Sequence, residues 1–400
     1  MHQKKLRFHI SMLLCLLAGL FVVSTAFAQA GPPSQVPGQV PPVGGRGGAA
    51  PGGGGGRSGR GPQGPTTDPQ VHDPVMAREG DTYYVFGTGI TVQSSKDLKT
   101  WQPEPAPFSA APEWYTKLFG ATRFGQWAPD ILLHNGTWYL YYAVSSFGRN
   151  FSAIGVATNT TLNSKDPNYK WVDRGMLVKS VPGRDMWNAI DPNVFIDQQG
   201  KAWMDFGSFW GGIKLLRLKD NLVEAAEPPE REWHTVAARE RYWKLDEREA
   251  GDAANPDLKY DVIYPKEVLA LDQKTENGAI EAPFVFQKNG WYYLFVSWDR
   301  CCRGVNSTYQ IVVGRSKTPA GPYLDRLGHR MDWGGGELVV RGMPASRYAA
   351  GGHNAAYTFD GVDYLVFHAY DRTDNGRSKL VIRKIGWEED WPVVTLEPQK

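Results

Sequence analysis

Four short stretches of this chain set an acid or a histidine a few residues ahead of a turn glycine. His72-Asp73-Pro74 precedes Gly80, and Asp191-Pro192 precedes Gly200. Glu281-Ala282-Pro283 precedes Gly290, and Gly352-His353-Asn354 precedes Gly361. Counted from Asp73, Asp191, Glu281 and His353, the intervals are 7, 9, 9 and 8 residues. A fifth stretch, Trp127-Ala128-Pro129-Asp130, stands ahead of Gly136 in the same way. Taken singly, an Asp-Pro pair is ordinary turn or strand-start chemistry, because proline drives the residue before it into extended geometry. Five equivalent stretches in five equivalent units would instead converge on one axis, and three carboxylates and a histidine would meet there. Burying that many ionisable groups is costly unless they are used. Glycoside hydrolysis would use them: one carboxylic acid protonates the leaving oxygen, and a second carboxylate activates water or attacks the sugar carbon. A third keeps the acid protonated by like-charge repulsion.

The elements that must hold these residues are legible as a repeat. The chain contains 15 Trp, 18 Tyr and 17 Phe. Most fall in one phrase, a turn glycine followed by an alternating aromatic strand, beginning at Gly80, Gly136, Gly200, Gly290 and Gly361. An apolar run before each glycine completes a hairpin. The copies lie 56, 64, 90 and 71 residues apart, a length that accommodates about four short strands and so one propeller blade. Further alternating strands are expected near 152–158, 213–218, 309–315 and 380–385. The expected fold is all-β, a single five-bladed β-propeller over residues 67–400. The innermost strand of each blade would line a central funnel. The widest interval holds a charged insertion, about 221–275, expected to be a surface excursion from the third blade.

Residues 1–28 read as a signal peptide. Lys4, Lys5 and Arg7 open it, an apolar run over 12–23 follows, and Ala26-Phe27-Ala28 supplies the cleavage pattern. The apolar run is short for a membrane span, and Leu14 stands where a lipoprotein signal on Cys15 wants a small residue. An exported protein, extracellular or periplasmic, with no membrane span is expected. Residues 29–66 are almost entirely Gly, Pro, Gln, Ser and Arg, the composition of a disordered linker. The 44 Lys+Arg nearly balance the 42 Asp+Glu, so there is no electrostatic footprint for nucleic acid. A monomer is expected. Cys301 and Cys302 are the cysteines left after signal removal. Two thiols or a bond between neighbours are both open, and an oxidising compartment favours the bond.

The motifs His72-Asp73-Pro74, Trp127-Ala128-Pro129-Asp130, Asp191-Pro192-Asn193 and Glu281-Ala282-Pro283 resemble those of glycoside hydrolase family 43. Ser145-Ser146-Phe147, the 207–213 stretch and the 307–315 stretch are similar to those of its endo-arabinanases. The resemblance implies an inverting hydrolase of α-1,5-linked arabinan from plant cell walls. Asp73 would be general base, Glu281 general acid and Asp191 the modulator of Glu281. It also implies a structural calcium in the central channel near His353. Trp127 and Phe147 match positions that line the cleft, and Asn193, Ser208 and Trp210 are further substrate candidates on the same ground. Competing readings are an exo-acting arabinanase, an α-L-arabinofuranosidase or a β-xylosidase of the same fold. The end of the chain soon after Trp391-Pro392 speaks against xylosidases that carry a further sandwich. A non-catalytic sugar-binding propeller would be expected to lack at least one of the carboxylates, and a purely structural one would leave all three without a purpose.

Overall fold

The computed structural model describes residues 64–120, 125–148, 150–182, 184–185, 187–228, 234–239, 279–342 and 346–395. The expected signal peptide, nearly all of the expected linker, and residues 229–233 and 240–275 of the expected insertion lie outside these residues.

Antiparallel sheets form five blades. The first holds β1 (Val75–Glu79), β2 (Thr82–Gly87), β3 (Thr91–Ser95) and β4 (Gln102–Glu104). The second holds β5 (Gln126–His134), β6 (Thr137–Val144), β7 (Ser152–Asn159) and β8 (Val172–Ser180). In the third are β9 (Asn193–Ile196), β10 (Ala202–Phe206), β11 (Ile213–Arg217) and β12 (His234–Ala237). The fourth runs β13 (Ile280–Lys288), β14 (Trp291–Trp298), β15 (Gln310–Ser316) and β16 (Glu337–Arg341). The fifth has β17 (Tyr348–Phe359), β18 (Val362–Asp371) and β19 (Arg377–Lys384). The first strands of the blades form a closed ring, β1 against β5, β5 against β9, β9 against β13, β13 against β17 and β17 against β1. This is the expected five-bladed propeller, and the alternating strands anticipated from sequence are the third strand of blades two to five.

The turn chemistry explains the hairpins. Asn135-Gly136, Asn289-Gly290 and Asp360-Gly361 each form a two-residue loop with positive φ at both positions, the mirror-image turn that matches strand twist. The aromatic strands then bury their side chains between blades: Tyr141, Tyr142, Tyr293, Phe295 and Phe367 are fully covered. Each such side chain contributes roughly 1.5–3 kcal/mol by burial alone.

Two expected boundaries move. Thr66, assigned to the linker, already pairs with Trp101, and the Pro69 carbonyl accepts from the Leu380 amide at 3.0 Å. This short segment therefore joins the first blade to the fifth. The expected insertion starts too early, because β12 is the outer strand of the third blade and Ala225 pairs back to Leu218. A four-residue edge strand among charged residues carries little alternation to read.

Candidate functional site

The ring of first strands has one local irregularity repeated five times. Asp73, Ala128, Asp191, Ala282 and His353 all adopt positive φ, at 54°, 36°, 54°, 54° and 53°. In β5, β13 and β17 the pairing register shifts at this point, as a bulge does. Proline follows in four blades (Pro74, Pro129, Pro192, Pro283), and Asn354 follows in the fifth. Positive φ costs about 1–3 kcal/mol for a side chain with a Cβ, and such strain persists where the surroundings over-determine it. Structural equivalence thus joins Asp73, Asp191 and His353 with Ala128 and Ala282. Glu281 stands one residue before the equivalent position, which corrects the expectation that four ionisable groups share it. The bulge supplies the difference, because a residue on either side of it can face the axis.

Asp73 is buried and surrounded by imidazoles. Its Oδ1 lies 3.0 Å from His353 Nδ1, 3.5 Å from His72 Nε2 and 3.6 Å from His368 Nδ1. Its Oδ2 accepts the Thr88 hydroxyl, and Thr88 Oγ1 in turn accepts the Ala128 amide at 2.9 Å. Burial alone would raise the Asp73 pKa, yet His353 and His72 outweigh it and hold the carboxyl far below the usual range. The Asp73 amide donates to His368 Nδ1 at 3.1 Å, so that nitrogen carries no proton. His368 Nε2 then bears the hydrogen and donates to Tyr370 Oη at 3.1 Å. Burial and the neighbouring His72 push His368 well below its ordinary pKa, which agrees with a neutral ring.

Glu281 and Asp191 are shifted the other way. Burial raises Glu281, against the hydroxyls of Tyr309 and Ser208, which donate to Oε1 at 2.6 Å and to Oε2 at 2.9 Å. Burial also raises Asp191 strongly, and the charges of Glu281 and Asp73 push the same way against His353. The Ala282 amide donates to Asp191 Oδ2 at 3.2 Å, so Asp191 touches the backbone that carries Glu281. His353 is raised to about 9: burial opposes the shift, but Asp73, Asp191 and Glu281 together overcome it. One carboxyl pushed down beside two pushed up is the separation that acid–base chemistry needs.

The remaining expected residues fall in different places. Ser208 bonds to Glu281. Trp127 is half-buried and opens the β5 bulge. Phe147 is 81% exposed on the loop after β6. Trp210 is half-buried and, like Phe209, has positive φ, 43° and 55°. Asn193 is spent inside the structure: Nδ2 donates to Asp130 Oδ2 at 3.2 Å, and Oδ1 accepts the Val285 amide at 2.8 Å. Sequence reasoning did not single out Thr88, Tyr309, His368 and Tyr370. A histidine inside the aromatic run Phe367-His368 was the one visible signal among them.

The donor set can be tested for a cation. His353 Nδ1 faces Asp73, and Nε2 has no hydrogen-bond partner among the described residues. Asn354 beside it is 2% exposed, and both its amide atoms lack a partner. Calcium prefers six to eight oxygens, so these residues fit a cation that keeps water as most of its shell.

A family description, Glycosyl hydrolases family 43, matches residues 63–392. An extracellular exo-α-(1→5)-L-arabinofuranosidase of Cellvibrio japonicus is 48% identical over 327 residues, 81% of this chain and 86% of that protein. An extracellular endo-α-(1→5)-L-arabinanase of Bacillus subtilis is 37% identical over 328 residues, 80% of this chain and 87% of that one. The crystal structure of an exo-1,5-α-L-arabinanase from a bovine ruminal metagenomic library superposes with TM-score 0.70 at 43% identity, covering 82% of this chain and 98% of its own. The structure of Cellvibrio cellulosa α-L-arabinanase complexed with arabinohexaose gives TM-score 0.70 at 45% identity, covering 82% and 96%.

Proposed function

This chain belongs to glycosyl hydrolase family 43, and from that premise we propose that it is an exported arabinan hydrolase that cleaves α-1,5-linked L-arabinan with inversion at the anomeric carbon. The observation that carries the reading is the opposite displacement of two carboxyls in one funnel: the histidines hold Asp73 far below its ordinary pKa, while burial raises Glu281 above its own. Asp73 acts as general base. It takes a proton from a water whose oxygen attacks the anomeric carbon from the face opposite the leaving group. Glu281 acts as general acid and delivers its proton to the glycosidic oxygen as the bond breaks. Asp191 modulates Glu281 through like charge and the Ala282 amide. Each transfer supplies roughly 10²- to 10⁴-fold in rate. Trp127, Phe147 and Trp210 are the aromatic faces offered to the sugar. His353 is the residue that would hold a hydrated calcium, which when bound supplies fixed positive charge among the three carboxylates.

On mode of attack, relatives named as exo-acting match at 48% and 43% and relatives named endo-acting at 38% and 37%, which favours release from a chain end over the endo reading drawn from motifs. The names of both relatives include the word extracellular, which supports export by residues 1–28.

Debranched linear arabinan is the test substrate. Wild type is expected to release arabinose or one short oligosaccharide, and Glu281→Ala is expected to lose at least about 10²-fold in kcat. The first product is expected to carry inverted anomeric configuration by proton NMR. A ladder of oligosaccharides would establish endo action. Retained configuration would overturn the assignment of Asp73 as base, and the absence of any arabinan product would overturn the substrate.

A further inference from the structure

We propose that the Cys301–Cys302 disulfide is a positioning element of the catalytic centre, fixing one loop against both the base and the acid. The loop, residues 299–309, joins β14 to β15. The structure closes the bond between the two neighbours. Their surroundings are those of the site rather than of a distant surface.

On the base side, Cys302 Sγ lies 3.7 Å from His72 Nε2, which lies 3.5 Å from Asp73 Oδ1. The Cys302 amide donates to Tyr370 Oη at 2.7 Å. Tyr370 Oη also receives His368 Nε2–H, and His368 Nδ1 holds the Asp73 amide. The same half-loop therefore reaches Asp73 twice, through its carboxylate's neighbour and through its backbone. On the acid side, Cys301 packs against Tyr309, Ala350 and Tyr370. Tyr309 ends the loop and donates to Glu281.

Hydrogen bonds hold the rest of the loop on either side of the disulfide: the Arg303 amide donates to Ser307 Oγ at 3.1 Å, and the Ser307 amide to the Gly304 carbonyl at 3.0 Å. Arg300 and Thr308 close its neck by two hydrogen bonds, at 3.0 and 3.1 Å, and the turn 304–306 rests on Gly376, where a Cβ would meet the Val305 nitrogen at 2.5 Å. Between those anchors, Cys302 faces His72 and Cys301 faces the Tyr309 and Tyr370 rings. A bond linking adjacent side chains removes the freedom of both and of the peptide between them. Opening it would free Cys302 from His72 and slacken the packing on Tyr309. An error of about 1 Å in the reacting groups is enough to cost on the order of 10²-fold in rate. A disulfide that served only to stabilise the loop would lower the melting temperature and leave kcat per folded molecule unchanged.

The inference rests on the arabinan hydrolase reading for its rate measurement. kcat, KM and melting temperature on linear arabinan are compared for wild type, wild type treated with tris(2-carboxyethyl)phosphine, and the double variant Cys301→Ser/Cys302→Ser. Expected are a fall in kcat of about 10-fold or more with KM within about 2-fold, the same fall on reduction of wild type, and no further effect of reductant on the double variant. Proton–nitrogen spectra of the histidine rings, recorded without substrate, are expected to show the His72 signals moving on reduction. A folded, reduced protein with kcat within about 2-fold of the oxidised one overturns the proposal. So does a fall in kcat that only follows the folded fraction. If the double variant does not fold, reduction of the folded wild type decides. If wild type shows no activity on arabinan, the hydrolase reading has failed, and unchanged His72 signals on reduction separately overturn the positioning role.

Discussion

Glu281 accepts two hydroxyl hydrogens, and both bonds favour its anion against the pull of burial. Removing one sharpens the imbalance. In Tyr309→Phe the Oε1 donor is gone, so the Glu281 pKa is expected to rise further, by about one unit if the bond is worth 1.5 kcal/mol. The basic limb of kcat/KM, which reports loss of the acid's proton in the free enzyme, then moves to higher pH. The acid limb, set by Asp73, stays far below the ordinary carboxylate range. A basic limb that stays put or moves to lower pH would remove Glu281 from the role of acid. A second residue-scale prediction concerns His353. A cation on Nε2 must displace a proton that three carboxylates hold with a pKa of about 9. Calcium that does so stabilises the fold through mass action, about 2.7 kcal/mol at a hundredfold excess over Kd. Chelator-treated protein is expected to melt at lower temperature, calcium to restore it, and His353→Gln to abolish the difference. Identical melting with and without calcium would show that His353 serves Asp73 alone.

The elements converge on the funnel because each first strand breaks its register at the same point, and side-chain ties across the blades hold the breaks in place. Asn193 is one tie, joining Asp130 of β5 to the Val285 amide of β13. Asn193→Ala would leave the buried Val285 amide unpaired, at about 1–3 kcal/mol, and leave Asp130 Oδ2 with the Val194 amide as its remaining donor of the two. Urea unfolding is expected to show a loss of about 1–3 kcal/mol, with KM on arabinan nearly unchanged. A KM rise without lost stability would return Asn193 to the substrate cleft where the motif resemblance put it. This tie also marks the limit of what sequence could convey. The aromatic alternation and the Asn-Gly and Asp-Gly turns announced five hairpins, because both signals are local. The one-residue offset between Glu281 and its counterparts was not legible, since a bulge changes which residue faces inward without changing composition. His368 was hidden for a similar reason: a strand histidine gives no local sign that its ring will receive an amide from residue 73. Tyr309 and Tyr370 read as two more aromatics among many.

For the whole molecule, the central charges make stability a function of pH with a direction that can be worked out. Asp130 is raised from 3.8 to about 7, chiefly by burial, against the Val194 and Ile131 amides and Asn193. A carboxyl whose folded pKa lies above its unfolded one contributes stability that is fully present below the unfolded value and is lost as pH rises through the folded value. His353, raised from 6.5 to about 9, adds a second decline in the same direction, complete only above 9. Asp73 has the opposite sign: its depressed pKa contributes stability above the ordinary carboxylate range and loses it only in strong acid. The propeller is therefore expected to weaken steadily between about pH 4 and 9. Asp130→Asn keeps an acceptor for the Val194 amide and removes the titration. Denaturant unfolding at pH 5 and pH 8 is expected to differ markedly for wild type, and by about 2.5 kcal/mol less for Asp130→Asn. Equal pH dependence in the two proteins would mean that Asp130 is ionised in the folded state, with the funnel's positive charge reaching further down the channel than His353.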